Sequence, residues 1–296
     1  MMYPHTILIN KLIRPAISTG VLALVFMGFS CMQQTKPAKS PDGYNLTAPA
    51  KYALPVSLTE ISGLAFYKGD PKVIYAHEDE TGKLFYFGWG DKDVKHVKFG
   101  NHGDYEDIAI CKEQVIILRS DGVLFIFPFS EARAGNITHV STQADILPKG
   151  EYESLYADEK TGLVYILTKN SKADKKQKQT NGFIFSLSAK GTVTKTGEFS
   201  IPVDDIANLT DDKKRIKFAP SALAKNTRTN EWYIVSSVNK LLVVTDANWK
   251  VKQTYPLAPS LFPQPEGIAF DKQNNLYISN EGGLGSGTIL KFVYKK

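Results

Sequence analysis

Three glutamates and two serines recur at similar intervals along the chain, each directly before a short apolar run. They are Ser62, Glu106, Glu153, Ser221 and Glu266, spaced 44, 47, 68 and 45 residues apart. Carboxylates held close together raise one another's pKa unless a cation neutralises them. Oxygen ligands without a surrounding His or Cys favour a hard ion, Ca²⁺ before Mg²⁺, because Ca²⁺ accepts several irregularly placed oxygens. If the fold brings these five residues together, the pattern predicts a calcium site.

The elements that would position these residues are short strands in repeated units. A second strand follows each motif, and a third strand usually follows the second. The second strands read "KVIYAHE", "QVIILRS", "LVYILTK", "EWYIVSS" and "NLYISNE". Turn sequences such as "ETGK" and "SDGV" separate the strands. Five units of this kind predict an all-β fold, a five-bladed β-propeller, in which the first strand of each blade lines the central channel. The five motif residues would then ring one end of that channel.

The longest interval, between Glu153 and Ser221, leaves two alternatives open. The Lys-rich stretch at 172–179 and the polar stretch at 203–215 could be insertions, or a sixth blade could be hidden there. The segment "AKYALPVSL" at 50–58 has strand character and precedes the first unit, whereas the last unit lacks a fourth strand. We therefore predict that the N-terminal strand completes the C-terminal blade, which would remove an exposed edge.

The N-terminus carries a targeting pattern. Lys11 and Arg14 precede the apolar stretch "GVLALVFMGFS", and Cys31 follows it. The stretch is too short to span a bilayer, and its order resembles that of a bacterial lipoprotein signal. We predict a signal peptide over 1–30, a flexible polar tether over 31–49 with a lipid on Cys31, and a single propeller domain over 50–296. An ordinary signal peptide or an uncut anchor are the alternatives. The expected location is the cell envelope, anchored to the outer membrane in a Gram-negative cell, or otherwise the periplasm or outside the cell.

Charge and cysteine content narrow the range of partners. The chain has a formal net charge of +6, and removal of 1–30 takes away two positive charges and leaves +4. No Gly-rich phosphate loop and no basic stripe interleaved with aromatic residues accompanies this mild excess, so no nucleic-acid partner is expected. The stretch "KADKKQKQ" at 172–179 is interpreted as a solvated loop. With Cys31 lipidated, Cys111 has no partner and is predicted to be a small buried residue.

Several stretches resemble one family. They are "ISGLAF", "DYEDIAI", "YESLYADEKTGLVYILTKN", "PSALAKNTRTNEWYIVSS" and "QPEGIAFDKQNNLYISNEGG". From about residue 55 onwards the chain is similar to the SdiA-regulated family of exported bacterial proteins, which are distant relatives of NHL-repeat propellers. The family's Ser-Gly and Glu-Gly dyads are matched in their first residue at all five sites, whereas Asp107, Ser154 and Ala222 replace Gly in the second. The resemblance implies a five-bladed propeller with bound calcium and no established activity.

Two classes of function follow from these predictions. The first is an envelope-anchored module that binds a ligand or partner not identified by the sequence; the second is a calcium-dependent hydrolase or lactonase-like enzyme with its active site over the ion. His102 and His77 are the candidate catalytic residues, because they are the histidines nearest the motifs. A third interpretation gives the motifs a structural role, with glycines for close packing and glutamates that cap backbone amides.

Overall fold

The computed structural model describes residues 39–210 and 216–296. Five four-stranded antiparallel sheets form the blades of a β-propeller. Blade 1 comprises β2 (Ile61–Ala65), β3 (Ile74–Glu78), β4 (Lys83–Phe87) and β5 (Lys95–Lys98). Blade 2 comprises β6 (Tyr105–Cys111), β7 (Gln114–Arg119), β8 (Leu124–Pro128) and β9 (Ser141–Gln143). Blade 3 comprises β10 (Glu151–Asp158), β11 (Leu163–Asn170), β12 (Gln179–Leu187) and β13 (Val193–Pro202). Blade 4 comprises β14 (Ala222–Asn226), β15 (Glu231–Ser236), β16 (Leu241–Thr245) and β17 (Val251–Pro256). Blade 5 comprises β18 (Pro265–Phe270), β19 (Leu276–Asn280), β20 (Thr288–Phe292) and β1 (Ala50–Ala53).

Hydrophobic cores lie between successive blades. The inner strands are rich in β-branched and aromatic residues and are buried on both faces, as in "LLVVT" of β16. The outermost strands are half exposed and more polar, as in "KHVK" of β5. Separate clusters join blades 1 and 2, 2 and 3, 3 and 4, 4 and 5, and 5 and 1. A single blade cannot bury its own apolar faces. Each blade therefore buries them against its two neighbours, and the five interfaces form a closed series.

The predicted closure of the ring is confirmed. Strand β1 pairs antiparallel with β20, from Ala50 opposite Lys291 to Ala53 opposite Thr288. The described chain before β1 is not a flexible tether, however. Tyr44 and Leu46 are buried in the core between blades 4 and 5, and the Tyr44 hydroxyl donates a hydrogen bond to the backbone carbonyl of Asn274 at 2.7 Å. The packed domain therefore begins before residue 50.

The long interval is filled by insertions in and after blade 3, and no sixth blade forms in the part of the chain that the structure describes. The Lys-rich stretch, expected as a loop, contains helix α2 (Lys172–Gln177), because the Ser171 hydroxyl accepts the backbone N–H of Asp174 as an N-cap. Helix α3 (Val203–Leu209) follows β13, and helix α1 (Phe129–Ala134) follows β8. Single 3-10 turns lie at Val56–Leu58 and Tyr67–Gly69. Within the described ranges no helix is long and apolar enough to cross a membrane.

Cys111 is buried, as predicted. Its thiol lies 3.5 Å from the carbonyl oxygen of Asp158, to which it donates, in the next blade. Cys31 and the rest of the predicted signal peptide lie outside the described residues.

Candidate cation site at the propeller axis

Four of the five motif residues lie at irregularities in the first strands of their blades. The pairing of first and second strands shifts register between Ile61 and Leu64, Tyr105 and Asp107, Tyr152 and Ser154, and Pro265 and Gly267. A β-bulge leaves the extra residue unpaired and turns its side chain in a new direction. The skipped residues include Ser62, Glu106, Glu153 and Glu266, and Ser221 directly precedes β14. We call the end of the propeller at which the first strands begin the motif face.

One lysine, Lys169, interacts electrostatically with all three motif glutamates. The Glu153 carboxylate forms an ion pair with the Lys169 ammonium, and these side chains are 9% and 31% exposed. The same ammonium lies close enough to Glu106 and Glu266 to lower the pKa of both, and the Glu266 carboxylate in turn raises the pKa of Glu106. The fold therefore brings together carboxylates from blades 2, 3 and 5.

The ends of the second strands supply a further set of polar residues, at equivalent positions in the five blades. The strand registers align Asp79, Ser120, Lys169, Ser237 and Glu281. Ser237 donates a hydrogen bond to the Glu266 carboxylate. Asp79 and Glu281 add two carboxylates: Glu281 raises the pKa of Asp79 and of Glu266, and Asp79 raises the pKa of Glu106. The motif face therefore concentrates carboxyl groups around the Lys169 ammonium, and the Lys240 ammonium also acts on Glu266.

The pKa values of these carboxyl groups are raised chiefly by burial, with a smaller contribution from neighbouring carboxylates. Burial, together with the neighbouring carboxylate of Asp104, raises the pKa of Glu106 to about 8. Burial and the carboxylate of Glu60 raise the pKa of Asp79 to about 7. Burial also raises the pKa of Glu266 to about 6, although the Ser237 hydrogen bond opposes it. Groups in this condition either hold a proton near neutral pH or are stabilised as anions by an added cation.

The predicted serine ligands are engaged in joining blades. The Ser221 hydroxyl donates to the Pro265 carbonyl at 2.9 Å and accepts the Ser237 N–H at 3.2 Å. The Ser62 carbonyl accepts a hydrogen bond from the Ser279 hydroxyl at 2.8 Å. Ser221 thus serves inter-blade packing in the structure, which is the role that the structural interpretation gave to the motifs.

Close packing explains both motif glycines. A Cβ on Gly267 would lie 2.3 Å from the Ser279 hydroxyl, and one on Gly63 would lie 2.7 Å from an Asp107 carboxylate oxygen. Asp107, which stands where the family has Gly, accepts the backbone N–H of Leu155 in the next blade at 2.7 Å and that of Ile108 at 2.8 Å. The departure from Gly therefore adds a link between blades 2 and 3.

The two candidate catalytic histidines lie in different surroundings. His77 is fully buried; its Nε2 accepts the Gly63 N–H at 3.2 Å, so Nδ1 carries the hydrogen that it donates to the Glu78 carbonyl at 3.2 Å. Burial lowers the pKa of His77 to about 4. This arrangement gives His77 a structural role. His102 is exposed in the segment between β5 and β6.

Carboxylate and hydroxyl oxygens are suitable ligands for a hard cation. The carboxylates are not, however, arranged closely enough to form a metal centre as they stand. Among the described residues, no three His, Cys, Asp or Glu side chains are grouped closely enough to hold an ion. One oxygen of Asp79, Oδ1, is buried without a hydrogen-bond partner in the described part of the chain. A cation would find carboxylate oxygens here, and Glu153 would have to exchange its ion pair with Lys169 for the ion.

Lys169 lies near the end of β11, the second strand of blade 3. Its proximity to Glu153 follows from the register of blade 3, in which Tyr152 lies opposite Thr168 and Ser154 opposite Leu167. Alignment of the second-strand ends is the sequence signal that could have placed Lys169, Asp79 and Glu281 near the axis.

The fold and the carboxyl groups of the motif face define a five-bladed β-propeller with an acidic group of residues near its axis. Residues 40–284 match the model of the SdiA-regulated family, and the chain belongs to that family. No curated protein matches the chain.

Solved structures share the architecture at low sequence identity. The glutaminyl cyclase of Myxococcus xanthus aligns with a TM-score of 0.54 and 12% identity, over 83% of this chain and 96% of the cyclase chain. A luciferin-regenerating enzyme aligns with a TM-score of 0.50 and 10% identity, over 83% of this chain and 95% of that enzyme. At these identities the similarity concerns the fold alone.

Proposed function

We propose that the protein is a calcium-binding β-propeller that acts as a binding or interaction module at the cell envelope, tethered by a lipid on Cys31. The observation that carries the proposal is that Glu106, Glu153 and Glu266, from three blades, all lie within electrostatic range of the Lys169 ammonium. Asp79 and Glu281 lie in the same acidic region. Propeller faces commonly carry binding sites, because the blades hold their loops rigidly.

Glu106 and Glu266 are the residues best placed to hold the ion. The Lys169 ammonium lowers the pKa of each, but neither forms an ion pair with another described residue, whereas Glu153 is paired with Lys169. Bound Ca²⁺ would supply a fixed positive charge that keeps these carboxyl groups ionised. The motif face would then present a neutralised surface to a ligand or partner.

Calcium is expected to stabilise the folded domain and to change its response to pH. In chelator, the thermal midpoint should fall as pH rises from about 5 to about 8, because carboxyls whose pKa is raised above the unfolded value bind more protons in the folded state. Saturating Ca²⁺ should raise the midpoint at pH 8 by about 5–10 °C, since a ligand at a hundred times its Kd adds about 2.7 kcal/mol. Calorimetry of residues 39–296 in chelator, Ca²⁺ or Mg²⁺ measures both effects.

Glu106→Gln and Glu266→Gln should each remove most of the calcium-dependent gain while raising stability in chelator at pH 8. Glu113→Gln is the matched control, because Glu113 is 58% exposed and pairs with Lys68 away from the motif face. Equal midpoints with and without Ca²⁺ in the unmodified chain would contradict the calcium proposal.

The lipid anchor is tested separately in the full chain. Cys31→Ser is expected to move the protein from the membrane fraction to the soluble fraction and to abolish labelling with radioactive palmitate. Cys111→Ser is the control, since Cys111 is buried within the propeller and should not affect fractionation. A Cys31→Ser protein that stays in the membrane fraction would contradict lipidation at this position.

A further inference from the structure

The chain enters the propeller at the end opposite to the motif face. We call that end the base; it is formed by the turns that join the first and second strands of each blade. The Tyr44 ring contacts that of Tyr294, just beyond the basal end of β20, with 5.5 Å between centroids. Its hydroxyl donates to the Asn274 carbonyl in the basal turn of blade 5, and the Lys295 N–H donates to the Gly43 carbonyl at 2.8 Å. Residues 43 and 44 are therefore fixed at the base.

The first described residues stay close to this point. The Tyr44 N–H donates to the Pro41 carbonyl at 3.0 Å, and the Leu46 N–H donates to the Ser40 hydroxyl at 3.0 Å. Because Tyr44 and Leu46 are buried in the core between blades 4 and 5, these bonds hold the start of the described chain against the base of those blades.

The chain between Cys31 and this point is short. Cys31 lies eight residues before Lys39, the first described residue. A chain spans at most about 3.6 Å per residue, so Cys31 lies at most about 29 Å from Lys39. Strand β13 runs from the base towards the motif face, and its 10 residues measure about 33 Å. A lipid on Cys31 therefore reaches a membrane beneath the base but not one against the motif face.

Exposed apolar side chains lie at the base of blades 5 and 1. Trp89 is 39% exposed in the loop between β4 and β5, and Val293 is 54% exposed directly after β20. The Lys291 ammonium lies over the Trp89 ring, 5.9 Å from its centre. Tryptophan is typical of the layer between lipid and water, because its ring is apolar and its indole N–H is polar.

The point at which the chain enters decides which face meets the lipid. Val56, Val238 and Leu284 are also strongly exposed, and they lie in loops of the motif face. A membrane against that face is beyond the reach of a lipid on Cys31. These three side chains are therefore left to the aqueous phase.

Charge does not select the kind of lipid. The basal loop after β4 contains Lys92 between Asp91 and Asp93, all exposed. Asp42 and Lys295 are both exposed where the chain enters. Because the two signs are mixed, the basal surface fits a neutral lipid surface as well as an anionic one.

We propose that the base of blades 5 and 1 rests on the lipid surface that carries the Cys31 anchor, with Trp89 and Val293 in the interfacial layer. The motif face then points into the aqueous phase, from which calcium and soluble partners reach the axis. This orientation rests on the lipid at Cys31 that is proposed above.

Energy transfer to labelled lipid tests the orientation. The full chain is extracted from the membrane fraction and reconstituted into phosphatidylcholine vesicles that contain a rhodamine-labelled lipid. Gln273→Cys and Leu284→Cys, each in a Cys111→Ser background, place a donor dye at the basal end and at the motif-face end of blade 5, and both positions are exposed. Since β19 alone separates the two sites by about 17 Å, transfer should be at least about twofold more efficient from Gln273→Cys.

Trp89 is a native probe of contact, because Trp232 and Trp249 are only 2% and 8% exposed. Phosphatidylcholine with brominated acyl chains should quench the tryptophan fluorescence of the lipidated chain, and Trp89→Phe should lose most of that quenching. Val293→Asp should weaken the quenching without changing the thermal midpoint. Val238→Asp is the matched control on the motif face and should be quenched as the unmodified chain is.

The outcomes separate the orientation from the anchor. A full chain that does not remain with the vesicles lacks the anchor, and that result refutes both lipidation and the orientation. A chain that remains with the vesicles but shows equal transfer from both dyes, or more from Leu284→Cys, retains the anchor and overturns the orientation. The same ratio of transfer efficiencies is expected when phosphatidylglycerol is included; a ratio above one only on those anionic vesicles would also contradict the proposal.

Discussion

A chain that begins at residue 55 is expected to lose most of its cooperative stability relative to one that begins at residue 39. The shorter chain lacks β1, which exposes the hydrogen-bonding edge of β20. It also lacks Tyr44, Leu46 and Leu54, all buried in the cores on either side of blade 5. At about 1.5–3 kcal/mol for each buried side chain, the loss is about 5–9 kcal/mol. Because a typical domain is stable by about 5–15 kcal/mol, this loss approaches the whole.

Calorimetry and near-ultraviolet circular dichroism of the two chains measure this effect. A third chain, beginning at residue 49, keeps β1 but removes Tyr44 and Leu46, and should have an intermediate midpoint. This chain separates the contribution of ring closure from that of the two buried side chains. Melting of the 55–296 chain within a few degrees of the 39–296 chain would show that β1 is not needed to close the ring.

Asp107→Ala is expected to lower the free energy of unfolding by about 2–6 kcal/mol, because two buried backbone N–H groups would each lose an acceptor. These groups belong to Ile108 and to Leu155 in the next blade. Burial also raises the pKa of Asp107 well above its usual range, which the two hydrogen bonds oppose. The corresponding fall in thermal midpoint is about 5–20 °C for a domain of this size.

Asp107→Asn keeps one good acceptor oxygen and should lie between Asp107→Ala and the unmodified chain in urea and thermal unfolding. Asp121→Ala is the matched control in the same blade. Asp121 is 56% exposed and pairs with Arg119, so its removal should cost under about 1 kcal/mol. If Asp107→Ala and Asp121→Ala were equally mild, Asp107 would not be the link between blades 2 and 3.

The sequence by itself determined the architecture. Five repeats, each with a polar residue before an apolar strand and a second strand after a turn, predicted five blades and placed the motif residues on one face, whereas the long interval left a sixth blade open until the sheet topology excluded one among the described residues. The segment at 50–58 and the missing fourth strand predicted the closure that β1 and β20 confirm. These features could be predicted because strand periodicity and turn residues are local properties of the chain.

The partners of the motif residues were decided by the tertiary structure. Ser221 is engaged by Pro265, Asp107 reaches Leu155, and Tyr44 packs beside Asn274. Each contact joins residues that are distant in sequence and depends on how neighbouring blades approach one another. The β-bulges turn the motif glutamates toward the axis, and the register of blade 3 places Lys169 against Glu153. Local patterns contain neither the bulge nor the angle between blades, so the grouping of charges at the axis could not be predicted from the sequence.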